Sequence, residues 1–358
     1  MISAEFNNIK ISGIAAAVPS KIVKAHDYDE IFGAEVVAKN IVTTGVKEAH
    51  HAAKEQTSSD FAYVAARRLM NEMNIDPESI GVLIFTAAYL DYQVPPTACV
   101  LQKRLGLSTD CIVFDTNLAC SGYVYGLQTI SAILNSTSAK RGLLLTGDIT
   151  SKVVSPFDKS RMLFGDGGTA TLLEKVESAP DIKIGMKTDG TRFKSIIVPA
   201  SGYRNIDADR ERTEWSDGNI RSDYDLYMNG MDVFSFSMSD VPKLAIEFMD
   251  KFEYASEDFD AYIFHQPNYF ILKHLIKKLG SDKSKMPVSL DRYGNTSVCA
   301  IPLTICDAYH DTADEKKLFL YGFGVGLSWA CAAVTIDTEN VFSIECTDDY
   351  YTEGYVNH

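Results

Sequence analysis

The segment Asn117-Leu118-Ala119-Cys120-Ser121-Gly122-Tyr123 decides how this sequence is interpreted. It follows Ile112-Val113-Phe114, which predicts a buried strand, and it precedes an apolar stretch that predicts a helix running to about Leu134. We expect Cys120 to open that helix, where unpaired N–H groups and the positive end of the dipole stabilise a thiolate. Because the thiolate is the nucleophilic form, Cys120 is a candidate for covalent catalysis. On this segment alone, an inert thiol in the core is the simpler interpretation.

Length and composition are those of a globular protein. The chain has 358 residues, of which 46% are hydrophobic and 23% charged, which fits two domains or two fused halves. No apolar run approaches the roughly 20 residues of a membrane helix, and residues 1–13 lack the layout of a signal peptide. The net charge of −14 argues against a nucleic-acid surface, which needs a basic face. We therefore expect a soluble cytoplasmic protein without nucleic-acid or membrane partners.

The cysteines and lysines have less specific meanings. Seven cysteines occur without a CxxC pair or the paired histidine spacing of a zinc site, so we expect reduced thiols and no metal. Five lysines fall within 13 residues, and they form either a basic patch for an acidic partner or a solvated helix face and loop: Lys273, Lys277, Lys278, Lys283 and Lys285.

Strand and helix patterns alternate along the chain, which predicts a layered α/β fold. In the second half, residues 244–252 and 268–279 predict helices, while residues 262–264 predict a strand that runs into His265. Residues 205–225 are polar and charged and predict a loop. The tail after residue 339 is acidic and rich in tyrosine, and no role is assigned to it.

Three further motifs stand in the second half. They are Phe264-His265-Gln266-Pro267-Asn268 at a predicted strand end, the polar turn Arg292-Tyr293-Gly294-Asn295-Thr296-Ser297, and the loop Gly322-Phe323-Gly324-Val325-Gly326-Leu327. Taken singly, each has an ordinary explanation: a satisfied core histidine, a common Gly-Asn turn, and a glycine loop without the Lys-Ser/Thr of a P-loop.

Together with Cys120, and in this order, these motifs resemble the β-ketoacyl-acyl-carrier-protein synthase III family of the thiolase fold. The resemblance spans residues 9–336, and other matching segments are Thr44-Gly45-Val46, Pro95-Pro96-Thr97-Ala98-Cys99, Phe164-Gly165-Asp166-Gly167-Gly168 and residues 228–234. It implies an α/β thiolase-like fold of two similar βαβαβαββ halves packed as a layered αβαβα sandwich. The implied parts are residues 1–178 with the cysteine, 179–340 with the histidine and asparagine, and 341–358 as an acidic extension.

The resemblance places the family's catalytic trio on Cys120, His265 and Asn295. It implies that Cys120 takes an acyl group from a thioester and that the N–H groups of Cys120 and Gly326 form the oxyanion hole. His265 and Asn295 would then donate hydrogen bonds to the enolate of a decarboxylated malonyl-type extender, which gives a 3-oxoacyl thioester. The implied substrates are thioesters of coenzyme A or phosphopantetheine, with no metal or redox cofactor. The implied substrate-binding positions are Val94, Phe164, Asn268, Phe323 and Gly324.

Several positions depart from the family pattern. An arginine and a tryptophan that hold coenzyme A fall on Thr43 and Lys39, and an arginine that docks the carrier protein falls on Phe270. A phenylalanine that enters the acyl pocket from the neighbouring subunit falls on Val94, where Tyr89 or Tyr92 is able to refill the space. The remaining candidate contacts to coenzyme A or to the carrier protein are Lys159, Arg161, Lys277 and Lys278.

These departures lead us to expect a specialised homodimeric homologue, in secondary metabolism or in glycan and lipid decoration. They put the usual acyl-coenzyme A donor in question, and either acyl-coenzyme A or an acyl-carrier protein remains a candidate partner. One alternative is transfer of the acyl group from Cys120 to a hydroxyl or amine, with His265 as general base. A second is an inactive partner subunit, against which the complete trio argues. Release of CO2 from a malonyl donor separates condensation from simple acyl transfer.

Overall fold

The computed structural model describes residues 1–354 of the chain. Its α-helices are α1 (Asp29–Phe32), α2 (Ala34–Thr44), α3 (Ser58–Glu72), α4 (Thr97–Leu105), α5 (Gly122–Ser136), α6 (Gly230–Lys251), α7 (Tyr269–Lys278), α8 (Leu290–Tyr293) and α9 (Ala300–Tyr309). None of the helices described in this range is both long and apolar enough to cross a bilayer.

The strands of the first half are β1 (Ile2–Phe6), β2 (Ile9–Pro19), β3 (Ile22–Lys24), β4 (Glu48–His50), β5 (Ile80–Thr86), β6 (Ile112–Thr116), β7 (Arg141–Asp148) and β8 (Gly167–Lys175). The strands that follow are β9 (Ile182–Thr188), β10 (Ile196–Ile197), β11 (Thr213–Glu214), β12 (Ile220–Arg221), β13 (Tyr227–Met228), β14 (Ala261–Phe264), β15 (Glu315–Gly324), β16 (Ser328–Asp337) and β17 (Glu345–Thr347).

The long strands form a sheet in the order β1-β9-β16-β2-β8-β7-β5-β6, in which β16 also pairs with β15 and β15 with β14. Its two parts meet where Ile336 of β16 pairs with Ile11 of β2. The parts repeat one connectivity: β2-β8-β7-β5 and β9-β16-β15-β14 each contain two antiparallel pairings followed by a parallel one. This repeat confirms the expected arrangement of two similar halves.

Helices fill the space between the two parts of the sheet and cover both outer faces. α5 packs against β5 and β7 on one side and against β15 and β16 on the other, and α9 contacts both β2 and β14. α3 and α4 cover the first part, while α6 and α7 cover the second. The sequence of α5 is apolar nearly all round, and the helix is accordingly buried in the middle layer. The five layers are the expected αβαβα sandwich.

Two helix boundaries differ from the sequence-based expectation. α5 begins at Gly122 with Ser121 as its N-cap, so Cys120 lies just before the helix rather than opening it. α6 begins at Gly230 instead of near residue 244, because the side-chain oxygen of Asn229 accepts hydrogen bonds from the N–H groups of Met231 and Asp232. Residues 205–225 are largely irregular, as expected, with only the short strands β11 and β12.

The acidic extension packs back onto the first half. β17 pairs in parallel with β2, and the ring of Tyr351 meets that of Tyr63 edge-on at 4.6 Å. Glu353 forms an ion pair with Arg104 of α4 at 2.6 Å. Residues 355–358 of the expected extension lie outside the described residues. All seven cysteines are free thiols.

Candidate active site

A cavity of about 420 Å³ lies between the two halves, and its walls are mainly apolar. Cys120, His265 and Asn295 all line this cavity, so the structure brings the three predicted catalytic residues together. Among the described residues that line it there is no lysine, arginine, aspartate or glutamate. The cavity is therefore suited to an uncharged acyl chain near a polar inner end.

Close packing of glycines fixes the position of Cys120. The turn between β6 and α5 is closed by a hydrogen bond of 2.7 Å from the N–H of Gly122 to the carbonyl of Ala119. A β-carbon at Gly322 would lie 2.7 Å from the carbonyl oxygen of Cys120, and one at Gly324 would lie 2.7 Å from its sulfur. The end of β15 thus lies directly against the cysteine, and only glycine permits this approach.

The thiol of Cys120 is protonated at neutral pH. Burial raises its pKa to about 11, and the Ser297 hydroxyl, whose oxygen lies 3.9 Å from the sulfur, opposes this rise. The backbone N–H groups of Val325 and Cys120 also lie within reach of the sulfur and favour the thiolate. These backbone groups act in the expected direction, but burial outweighs them and the net pKa of the thiol is raised.

His265 is held at the end of β14. Its backbone N–H donates to the carbonyl of Tyr321 at 2.7 Å, and the ring of Phe323 packs edge-on against the imidazole at 5.5 Å. The side chain is 2% exposed, and burial lowers its pKa to about 3, while the backbone of Ser297 opposes this shift. Among the described residues Nδ1 has no hydrogen-bond partner. The imidazole is therefore neutral over the physiological range.

Asn295 is fixed on both sides of its backbone. Its N–H donates to the carbonyl of Leu163 at 2.8 Å, and its own carbonyl accepts from Gly165 at 3.1 Å. Gly165 must be small, because a β-carbon there would lie 2.0 Å from the carbonyl oxygen of Tyr293. The side-chain oxygen of Asn295 accepts from the N–H of Ser297 at 2.9 Å, which leaves the amide nitrogen to face the cavity.

Most of the predicted substrate-binding residues lie at this cavity. Phe164, Asn268, Phe323 and Gly324 line it with the trio, and so does Tyr89. Val94 is 83% exposed on the loop before α4 and does not line the cavity of this chain.

In the glycine loop, the residue that lies beside the sulfur is one position earlier in the chain than expected. Gly326, the predicted oxyanion-hole residue, is not among the lining residues, whereas Val325 lines the cavity with its N–H beside the sulfur.

None of the residues predicted to contact coenzyme A or the carrier protein lines the cavity. Lys39 and Thr43 are exposed on α2, where the hydroxyl of Thr43 donates to the carbonyl of Lys39 at 2.8 Å. Lys159 is exposed, but the guanidinium of Arg161 donates to the carbonyls of Ser151 and Val154 at 2.6 and 2.9 Å. The guanidinium of Arg161 therefore binds backbone carbonyls of the neighbouring loop instead of facing a substrate.

The last turn of α7 carries the other two predicted cations, the exposed Lys277 and Lys278. A helix rises 1.5 Å per residue, so they lie roughly 14 Å along the axis from Asn268 at the cavity. Phe270 is half-exposed near the other end of α7, and its ring lies 5.9 Å from that of Phe234, which lines the cavity.

Sequence reasoning missed one wall of the cavity. The first turns of α6 contribute Val233, Phe234 and Phe236, and the short strands β10 and β13 contribute Ile196 and Met228. The apolar spacing at the start of α6 was the available signal, but the predicted helix began too late to include it.

Comparisons with known proteins agree with this site. The family profile described as 3-Oxoacyl-[acyl-carrier-protein (ACP)] synthase III matches residues 114–190, which include Cys120. The profile described as the C terminal of the same enzyme matches residues 249–336, which include His265 and Asn295.

Relatives match over nearly their whole length. The beta-ketoacyl-[acyl-carrier-protein] synthase III of Lactococcus lactis subsp. lactis is 32% identical over 335 residues, which cover 91% of this chain and 99% of that protein. The protein of the same name from Clostridium perfringens is 29% identical over 333 residues, covering 92% and 99%.

A solved structure is also similar over most of both chains. The 3-oxoacyl-(acyl-carrier protein) synthase from Burkholderia xenovorans superposes with a TM-score of 0.91 at 33% identity, covering 97% of this chain and 99% of that one. The sequence identity, the shared fold and the common cavity of the trio lead to one assignment. This chain belongs to the β-ketoacyl-acyl-carrier-protein synthase III family of carbon–carbon bond-forming acyltransferases.

Proposed function

We propose that Cys120 carries an acyl group taken from a thioester and that this group is condensed with a malonyl-type thioester to a 3-oxoacyl product. The observation that carries the proposal is the common cavity of Cys120, His265 and Asn295 between the two halves of the fold. A nucleophile and two neutral hydrogen-bond donors on one apolar cavity are the groups that this chemistry needs.

The first step is thioester exchange at the sulfur. Cys120 attacks the donor carbonyl, and the backbone N–H groups of Cys120 and Val325 stabilise the oxyanion that forms. The carbon–sulfur bond of the donor then breaks, and the proton of Cys120 leaves with the released thiol. We assign the second oxyanion donor to Val325 instead of Gly326, because Val325 is the residue beside the sulfur.

The second step forms the carbon–carbon bond. The malonyl-type extender loses CO2, and the electron pair of the broken bond becomes an enolate on its thioester oxygen. Neutral His265 and the amide of Asn295 donate to that oxygen without giving up a proton. The enolate carbon attacks the acyl-Cys120 carbonyl, the carbon–sulfur bond to Cys120 breaks, and the thiolate that leaves takes a proton from water. No metal or redox cofactor is needed in this scheme.

The donor is proposed to be an acyl-carrier protein. Support comes from the lack of cations on the cavity wall and from Arg161, which is bound to its own loop. The aromatic pair of Phe234 and Phe270 at the cavity side of α7 also offers no charge to the phosphates of coenzyme A. A homodimer is proposed as well, in which the exposed Val94 contributes to the partner's acyl pocket.

Intact-mass measurement tests the proposal. The purified protein is mixed with a panel of acyl groups, each presented on coenzyme A and on an acyl-carrier protein, and Cys120→Ala is the control. We expect acyl adducts only on the wild-type protein, formed faster from the carrier. Malonyl-carrier protein should then release CO2 and yield a 3-oxoacyl product. Rapid loading from a short acyl-coenzyme A alone would overturn the choice of donor, and loading without CO2 release would overturn condensation.

A further inference from the structure

Ser297 contacts all three members of the trio. Its hydroxyl oxygen lies 3.9 Å from the sulfur of Cys120, its N–H donates to the side chain of Asn295, and its backbone lies beside the ring of His265. It is also one of the non-glycine residues with a positive φ, at 52°. The others, Asn74 and Glu253, directly follow helix ends, where such a conformation is common. At Ser297 the conformation places a side chain in the catalytic cavity.

A buried carboxyl group lies behind this serine. Asp148 ends β7, which packs against the turn Ser297–Cys299, and its side chain is fully buried. Its Oδ1 accepts from the N–H of Thr150 at 2.7 Å and from the hydroxyl of the same residue. Among the described residues Oδ2 has no hydrogen-bond partner, and the Ser297 hydroxyl is near enough to favour the ionised form of this carboxyl and so to lower its pKa.

Within residues 1–354, no positively charged group acts on Asp148. The ionisable groups that face it from the packed elements are the thiols and phenol of Cys120, Cys299 and Tyr89 and the carboxyl of Asp166. Burial raises the pKa of Asp148 to about 7, so the carboxyl changes its protonation state near neutral pH. An unpartnered buried acid close to a nucleophile is the arrangement from which we infer a role.

We propose that Asp148 and Ser297 form a carboxyl–hydroxyl pair that decides whether the sulfur of Cys120 is stabilised as a thiolate. When Asp148 is protonated, its Oδ2–H donates to the oxygen of Ser297, and the Ser297 hydroxyl donates to the sulfur. When Asp148 is ionised, Ser297 turns its proton to the carboxylate, and the thiolate loses a donor and faces a like charge. Asp148 acts through Ser297 and is a positioning residue.

The inference rests on the proposed nucleophile Cys120 but not on the identity of the acyl donor. Its test is therefore the rate at which iodoacetamide alkylates Cys120, a reaction that needs no thioester. The rate is measured between pH 6 and 10 from the mass of the peptide that contains Cys120. The experiment uses the full chain with Cys346→Ser, because Cys346 is the exposed thiol.

The two residues should shift alkylation in opposite directions. In Asp148→Asn, Oδ1 still accepts from Thr150, so the new amide takes the place of Oδ2 and donates to Ser297. We expect alkylation at pH 8 to rise about tenfold, equivalent to a fall of about one unit in the pKa of the thiol. Ser297→Ala removes the hydroxyl that donates to the sulfur when Asp148 is protonated, so it should slow alkylation about tenfold at pH 6 and have little effect at pH 8. Unchanged rates in both variants would overturn the pair.

Two further variants separate the hydroxyl from the backbone. Ser297→Gly tolerates the positive φ but lacks the hydroxyl, so it should be as slow as Ser297→Ala at pH 6; a wild-type rate there would show that only the backbone matters. Ser131→Ala removes another buried hydroxyl, on α5 away from the cavity, and should leave the rate unchanged. Failure of the proposed function would appear separately, as a protein that is alkylated normally but accepts no acyl group.

Discussion

Gly324 lies so close to Cys120 that a β-carbon built on the glycine would be 2.7 Å from both the Cβ and the Sγ of the cysteine. No side chain is accommodated at that distance without moving the end of β15 or the turn that carries the sulfur. The two elements come from opposite halves of the chain, so this contact helps to set the halves against each other at the catalytic cavity.

Gly324→Ala should therefore disable the nucleophile. We expect acyl loading to fall at least about 100-fold, since small displacements at a reacting centre cost about this much. Intact mass after mixing with the best acyl donor measures the loss. Gly190→Ala, at a glycine with open space around it, is the matched control and should load normally. Normal loading of Gly324→Ala would contradict the contact.

His265 should make the folded protein sensitive to acid. Its pKa of about 3 in the folded state lies below the value of about 6.5 in the unfolded chain, so the unfolded state binds more protons between these values. Stability is then lost as the pH falls below 6.5, by about 2 kcal/mol from this residue at pH 5. Urea unfolding at pH 7 and pH 5 should show a smaller difference for His265→Gln than for the wild type. His26→Gln, at an exposed histidine, should retain the wild-type difference.

Lys277 and Lys278 should matter only for a donor that has a protein attached. They are exposed at the end of α7, away from the cavity wall, so charge reversal cannot alter the chemistry directly. For Lys277→Glu/Lys278→Glu we expect the KM for an acyl-carrier protein to rise several-fold while kcat is kept. The same acyl group on N-acetylcysteamine serves as the control donor, and its kinetics should not change. An equal effect on both donors would rule out a docking role.

Arg104 should anchor the C-terminal extension and the loop before α4. Its side chain is only 8% exposed and pairs with Asp60 and Glu353, with Asp91 at 3.8 Å. Arg104→Ala leaves buried carboxylates without a counter-charge, and we expect a loss of about 3–5 kcal/mol in the free energy of unfolding. Arg141→Ala, which breaks a more exposed pair with Glu174, should cost about 1 kcal/mol or less. Equal losses in urea titrations would show that burial is not decisive here.

Local signals were sufficient for much of the fold. The capping pattern at Thr57 and Asp60 predicts the start of α3, and there the Asp60 carboxylate accepts from the N–H of Thr57 at 2.8 Å. Pro95-Pro96 directly before an apolar stretch predicts a helix over residues 97–105, and this helix is α4. The start of α6 escaped detection because polar residues dilute its apolar pattern and Pro242 lies inside it.

The sequence predicts which residues form the site better than it predicts the chemical properties of those residues. The sequence brings Cys120, His265 and Asn295 together only through a family resemblance, and it does not reveal the burial that raises the pKa of the thiol. The pKa of Cys120 depends on how deeply the sulfur is buried, which no local pattern reports. Likewise, Asp148 and Ser297 are far apart in the chain and become neighbours only because β7 packs against the turn Ser297–Cys299.

The middle helical layer has a consequence for any attempt to divide the protein. α5 belongs to the first half and α9 to the second, yet each contacts strands of both. A fragment that ends near residue 178 would leave one side of α5 in water, and the complementary fragment would do the same to α9. Separately expressed fragments should therefore be prone to aggregate, and restoring a working enzyme would require them to fold together.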